Sequence, residues 1–172
     1  MRSPRRLDPQ RAAEHLPRLY RAARAWTGSR EDAEDLVQET YARVLARPRL
    51  VRGDDLAYLL RALRNTLTSQ HRAVQRRPTT TPLGDDDAVD VRGGDPAEAA
   101  EIRRVYAAIG ELPTEFRDAI VAVDVVGLSY REAARAFGVP EGTLTSRLFR
   151  ARDRVAGRLD DPPSATPASS PG

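Results

Sequence analysis

The sequence predicts an all-α protein built as two small helical domains joined by a flexible linker. Three observations carry this. Apolar residues recur three and four positions apart along most of the chain, and no alternating stretch is long enough to claim a sheet. Ala, Leu and Arg are abundant and β-branched runs are few, which favours helix over strand. Residues 73–97, AVQRRPTTTPLGDDDAVDVRGGDPA, concentrate Pro, Gly, Thr and Asp without helical periodicity, as a linker does. That division leaves a helical unit at 8–72 and another at 98–159, with a low-complexity tail at 160–172 expected to be disordered. With aromatics at only 5% of the chain, each unit must build its core mostly from Leu, Ala and Val.

In the first unit Asp8 and Pro9 form a cap and a first-turn proline. They open an amphipathic helix whose Leu16, Leu19, Tyr20, Ala23 and Trp26 share one side, with Gly28 as its stop. Ser29 caps the next helix, with Asp32 three positions on, and Ala33, Leu36, Val37, Tyr41, Val44 and Leu45 form its apolar stripe. The opposite face carries Asp32, Asp35, Gln38 and Glu39, a compact acidic and amide patch. A third helix begins near Asp54 or Asp55, whose acids suit the positive end of the helix dipole, and Leu56, Leu59, Leu60, Leu63 and Leu67 supply its core side. Its other side bears Arg61, Arg64, Asn65, His71 and Arg72. After an arginine-rich connection, that basic helix is a candidate nucleic-acid surface.

The second unit is read most sharply between Leu128 and Arg152. Ser129 and Glu132 form a capping box, and Ala133, Ala134 and Phe137 face inward. Gly138 is the left-handed stop, Pro140 blocks continuation, and a second helix starts at about Thr143. Leu144, Leu148, Ala151, Val155 and Leu159 make one face of that helix core, and Arg147, Arg150, Arg154 and Arg158 make a neighbouring face cationic. Two short helices around a tight turn, the second arginine-rich, form a helix-turn-helix. In such a unit Glu141, Thr143, Thr145, Ser146 and Arg147 are placed for base edges, and Arg150 and Arg154 for phosphates.

Composition narrows the function classes. Every basic residue is arginine, yet the net charge is only +3, so the distribution of charge argues for nucleic acid better than its total does. The absence of cysteine excludes a disulfide framework, and two isolated histidines, His15 and His71, argue against a structural zinc site. Neither a metal nor another cofactor is expected. No Ser, His or Cys constellation has catalytic spacing, so no catalytic residue is expected either. No apolar run approaches membrane-spanning length and the N-terminus lacks a secretory hydrophobic segment, so a soluble cytoplasmic protein is the simplest inference.

Three stretches, in their order and separation, carry a resemblance. SREDAEDLVQET at 29–40, AYLLRALRN at 57–65 and the LSY to SRLFRAR stretch at 128–152 are similar to the extracytoplasmic-function (ECF) sigma factors of bacterial RNA polymerase, a branch of the sigma-70 family, over roughly residues 10–158. The resemblance implies that the DAEDLVQET helix belongs to sigma region 2. Its polar face, with Asp32, Asp35, Gln38 and Glu39, would dock on the clamp helices of the largest polymerase subunit. It implies minus-ten recognition by the loop at about 46–55 and the helix after it, with Arg61, Arg64, Asn65 and Arg72 as the candidate residues. It also implies that the helix-turn-helix is region 4, reading the minus-thirty-five element. The chain departs from the family pattern at Tyr58, Ala62, Ser69, Ala133 and Thr145; the last stands where a basic residue is common, which implies a weaker minus-thirty-five grip.

The implied function is a dissociable promoter-specificity subunit with core RNA polymerase and promoter DNA as partners. Two other readings stay open: a stand-alone helix-turn-helix regulator, and a degenerate sigma-like protein that sequesters a partner. Whether an anti-sigma factor binds the chain is also open. The linker is long enough for the leading reading. Two DNA elements about two turns apart lie roughly 70 Å from each other, and a stretch the length of 73–97 extends to about 80 to 90 Å.

Overall fold

The computed structural model describes residues 5–47, 50–76 and 95–160. Most of the stretch read as a linker, and nearly all of the tail, lie outside the described residues. In order the elements are β1 (Arg5–Arg6), α1 (Pro9–Glu14), α2 (Leu16–Thr27), α3 (Arg30–Ala46), β2 (Leu50–Val51), α4 (Asp55–Arg76), α5 (Pro96–Gly110), α6 (Thr114–Ile120), a π turn (Val121–Val125), α7 (Tyr130–Phe137) and α8 (Glu141–Asp160). The all-α class holds, with one addition. β1 and β2 pair antiparallel, Arg5 opposite Val51 and Arg6 opposite Leu50. Two-residue strands carry no readable alternation, so the sequence pattern does not announce them.

The first helix is two helices. Asp8 caps α1 through a 2.8 Å bond from the Gln10 N–H to its Oδ1, but the chain turns at His15 before α2 begins. Pro17 offers no N–H and its ring clashes with the carbonyl four residues back, so a continuous helix from Pro9 cannot form. The break shifts the register and leaves Leu16, expected on the buried side, 45% exposed. Gly28 ends α2 at φ +80, as expected of a left-handed cap.

α3, α2 and α4 pack together as the first half, with α1 resting on α2 and α4. All five leucines expected in the core of α4 are buried. On α3 the expected stripe is corrected at one end. Leu45 is exposed, and Thr40 is buried instead, its hydroxyl satisfied by a 2.7 Å bond to the Leu36 carbonyl. The Tyr41 hydroxyl donates to the Ala12 carbonyl at 2.6 Å, tying α1 to α3, and burial pushes it up to about 12.

The second half opens at Pro96, capped by Asp95, and packs α5, α6 and α7 around α8. The Ser129–Glu132 capping box is present in full, with bonds in both directions, and Gly138 closes α7 at φ +67. α8 starts at Glu141, two residues earlier than expected, because the Pro140 carbonyl already accepts the Leu144 N–H. The helix-turn-helix therefore turns on Gly138, Val139 and Pro140. At the other boundary α4 runs on to Arg76, so both flanking helices reach into the 73–97 stretch.

The two halves are not separate in this arrangement. α5 and the π turn rest on α2, α7 rests on α4, and the buried residues form one continuous apolar interior across both halves.

Candidate nucleic-acid interface

Three surfaces matter, and the acidic one is built most simply. Ser29 caps α3 by accepting the Asp32 N–H at 3.1 Å, and its hydroxyl donates to Asp32 Oδ2 at 2.8 Å. That cap fixes the phase of α3, so Ala33, Leu36 and Val37 turn inward while Asp32, Asp35 and Gln38 stay exposed. Glu39 is half-buried, held by Arg43 one turn on and by the amide of Gln70 from α4. The expected polar face is thus a real face, with its last member anchored.

The second surface is a groove of about 890 Å³ between the C-terminal half of α3 and the middle of α4. Arg43, Arg47, Tyr58, Arg61, Asn65 and Ser69 are among its lining residues. It therefore combines three guanidinium groups, an amide and an aromatic ring, a chemistry suited to unstacked bases and their backbone. Of the residues expected here, Arg61 and Asn65 line it, while Arg72 is exposed further along α4. Arg43, Arg47 and Tyr58 also line it; the sequence does not single them out, although Arg47 and Tyr58 fall in the loop and helix that the resemblance ties to minus-ten recognition, and Arg43 stands one helical turn before Arg47.

Arg64 is placed differently from expectation. Its Nε donates to both oxygens of Asp118 on α6, at 2.7 and 2.9 Å, and its Nη1 donates to Thr68 at 2.6 Å. The guanidinium also lies 5.9 Å from the centre of the Trp26 ring. Both members of the pair are about one-fifth exposed. Burial pushes the Asp118 carboxyl up, with Arg64 and Arg117 opposing it. In this arrangement Arg64 joins the two halves instead of facing solvent. Nothing in the local pattern marks Asp118 as its partner, because the two are brought together only by packing.

The third surface is α8. Glu141, Thr145, Ser146 and Arg150 are exposed, and Thr143 and Arg147 are half-buried. The hydroxyls of Thr145 and Ser146 are turned back to the helix backbone, donating to the Glu141 and Thr143 carbonyls at 2.9 and 3.0 Å. Arg154 sits 4.9 Å over the Phe116 ring, so its position is set by the second half's own core. Arg152 binds Asp124 of the π turn through two bonds of 2.9 and 2.7 Å. Arg147 lines a cleft of about 360 Å³ together with Arg61, Arg64 and Asn65 of the first half. The two candidate DNA surfaces thus open on one shared cleft. Among the described residues no cluster of His, Cys, Asp and Glu is arranged to hold a metal ion.

Comparison with known proteins adds to this geometry. Residues 11–77 match the family model of sigma-70 region 2, and residues 102–155 match that of sigma-70 region 4. The chain is 33% identical to the ECF RNA polymerase sigma factor EcfG of Rhodopseudomonas palustris, over 84% of the chain and 80% of that protein. It belongs to the ECF sigma factors of RNA polymerase. SigM of Mycobacterium tuberculosis is 35% identical over 84% of the chain and 73% of its own length. SigE of Mycolicibacterium smegmatis is 33% identical over 91% of the chain, but the chain spans only 63% of that relative's length. Among solved structures, the sigma factor RpoE in complex with the anti-sigma factor NepR from Bartonella quintana superposes with a TM-score of 0.69 at 28% identity. That match covers 87% of this chain and 94% of RpoE. CnrH, solved with the cytosolic domain of CnrY, gives 0.62 at 26% identity, covering 88% and 86%. The stand-alone regulator reading is not favoured for this sigma factor, since a region 2 unit accompanies the helix-turn-helix.

Proposed function

We propose that this sigma factor docks on the clamp helices of the largest polymerase subunit through Asp32, Asp35, Gln38 and Glu39, and carries promoter recognition in its two other surfaces. The acidic face of α3 carries the reading. Its Asp32, Asp35 and Gln38 are exposed even with the halves packed together, so the chain can meet polymerase before it meets DNA. Charge complementarity across such an interface sets register and partner choice.

The groove between α3 and α4 takes unstacked bases of the minus-ten element, with Arg61 and Asn65 at its wall and Arg72 further along the backbone path. The α8 helix reads the minus-thirty-five duplex in the major groove, through Glu141, Thr143, Thr145, Ser146 and Arg147, with Arg150 and Arg154 on phosphates. Elements about two turns apart, roughly 70 Å, cannot both be reached while Arg61 and Arg147 share one cleft. The halves therefore separate when the protein works, which frees Arg64 from Asp118 for the minus-ten strand. The protein performs no bond chemistry and acts in the cytoplasm, where polymerase is; no helix among the described residues is long and apolar enough to cross a membrane.

Runoff transcription with purified core polymerase on a promoter library tests this. A promoter-specific product that disappears on Asp35→Arg is the expected result, and no specific product on any template overturns it. A second reading, capture by an anti-sigma factor, is favoured by one observation. RpoE, whose fold the chain matches over nearly its whole length, was solved bound to an anti-sigma factor.

A further inference from the structure

The carboxylate of Asp55, the first residue of α4, is 2% exposed. Its charge is met by two guanidinium groups: Arg5 Nη2 at 2.8 Å and Arg11 Nη2 at 3.4 Å. Neither carboxylate oxygen has a hydrogen-bond partner among the described residues, so the two contacts are ion pairs only. Both arginines come from the segment before α2, Arg5 from β1 and Arg11 from α1. The same segment supplies the strand that pairs with Leu50 and Val51, in the loop between α3 and α4. Val51 in this ribbon and Leu7 just after β1 are buried, and Leu50 is 63% exposed.

The placement of this cluster is informative. The loop leaves α3 just after Arg47 and enters α4 just before Tyr58, and both residues line the α3–α4 groove. Two-residue strands specify register poorly by themselves. A buried ion pair is also a weak source of stability, since apolar residues in place of both partners would avoid its desolvation. What the charge supplies and an apolar residue does not is direction, because two arginines on one segment must converge on one carboxylate.

We propose that Arg5 and Asp55 are positioning residues: through them the N-terminal segment braces the loop before α4 and thereby sets which minus-ten bases the groove accepts. This rests on the reading of the groove given above. Arg5 and Asp55 touch no base. They act by holding the loop end of α4, and with it Tyr58 and Arg61, at one height above the groove floor.

The test uses the full chain with core polymerase, promoters carrying single-base changes in either element, and amide hydrogen exchange over residues 50–57 of the free protein. The variants are Asp55→Leu, Arg5→Ala and Arg5→Lys, with Arg61→Ala and Asn65→Ala as controls on the groove. Asp55→Leu strips Arg5 and Arg11 of their shared carboxylate, so it is expected to lower the melting temperature modestly and to speed exchange in the loop. It is also expected to cut the transcript ratio between the preferred minus-ten sequence and its variants about fivefold or more, the lower end of what a mismatched base costs. Minus-thirty-five preference and core affinity stay unchanged, and Arg5→Lys, which keeps the charge, retains the wild-type ratio. Unchanged exchange at 50–57, or an unchanged minus-ten ratio in Asp55→Leu, overturns the brace. If Arg61→Ala and Asn65→Ala leave the minus-ten preference intact, the groove reading fails and takes the brace with it. If those two lose the preference while Asp55→Leu keeps it, the brace alone is wrong.

Discussion

Asp35 and Gln38 illustrate how much one residue's setting decides. Both are exposed on the side of α3 that faces away from Ala33, Leu36 and Val37, so changing them alters the surface and not the core. Reversing the charge with Asp35→Arg is expected to change the unfolding free energy by no more than is usual for exposed positions, about 0.5 kcal/mol. The same change is expected to abolish core polymerase binding in a pull-down with purified subunits. Leu63 is the opposite case. It is fully buried, and Leu63→Ala should cost about 2 to 5 kcal/mol in urea unfolding, because the packed neighbours relax only partly into the cavity it leaves. Residue periodicity alone identified Leu63 and its four companions on α4. It misassigned Leu16 and Leu45, since both lie at helix ends where a neighbouring break or loop, and not the helical repeat, decides what covers them.

Local chemistry sets α7, and its cap is separable from the rest. Ser129 accepts the Glu132 N–H, and Glu132 Oε2 accepts the Ser129 N–H at 3.0 Å and its hydroxyl at 2.6 Å. Ser129→Ala should destabilise the second half by about 1 kcal/mol, seen as a lower denaturant midpoint with unchanged slope. The Ser129 side-chain bond first, and its backbone bond second, hold the Glu132 carboxyl below its ordinary value. A depressed carboxyl contributes stability above its unfolded pKa and loses it as pH falls through the folded one. The cap is therefore complete at neutral pH and lost on acidification below the ordinary glutamate range. Titrating Glu132→Gln beside the native chain should show a shallower loss of stability in that acid window. A capping box, a left-handed glycine and a proline are all written in the residue order, which explains why this helix-turn-helix was legible to within two residues. The π turn before it was not, because a residue run such as VAVDV carries no mark of how its hydrogen bonds will be spaced.

Across the whole molecule the deciding contact is Arg64 with Asp118. Asp118→Ala leaves the Arg64 guanidinium, one-fifth exposed, facing a packed wall without its carboxylate. The free protein is then expected to open, with a larger radius of gyration by X-ray scattering and tighter binding of a minus-thirty-five duplex. The paired change Arg64→Leu with Asp118→Leu removes both charges from a partly dehydrated site, and there the halves should stay closed or close more tightly. A radius unchanged in Asp118→Ala would mean that the apolar contacts of α5 and α7 with the first half suffice on their own. Neither partner could be matched to the other from the chain, for residues 54 positions apart on amphipathic helices meet only if the two units choose the same faces.

The sequence by itself determined the elements, their caps, the polar face of α3 and the family, because each is encoded by residue spacing within one or two helical turns or by motifs in fixed order. It also supplied the arginines. Only the tertiary structure decided what those arginines do. Arg64 bridges the halves, Arg5 and Arg11 converge on a buried carboxylate, Arg154 stacks on Phe116, and Arg147 joins Arg61 and Asn65 in one cleft. A long cationic side chain takes its role from whatever carboxylate, ring or opening lies within its reach, and that neighbour is chosen by packing and not by the local code.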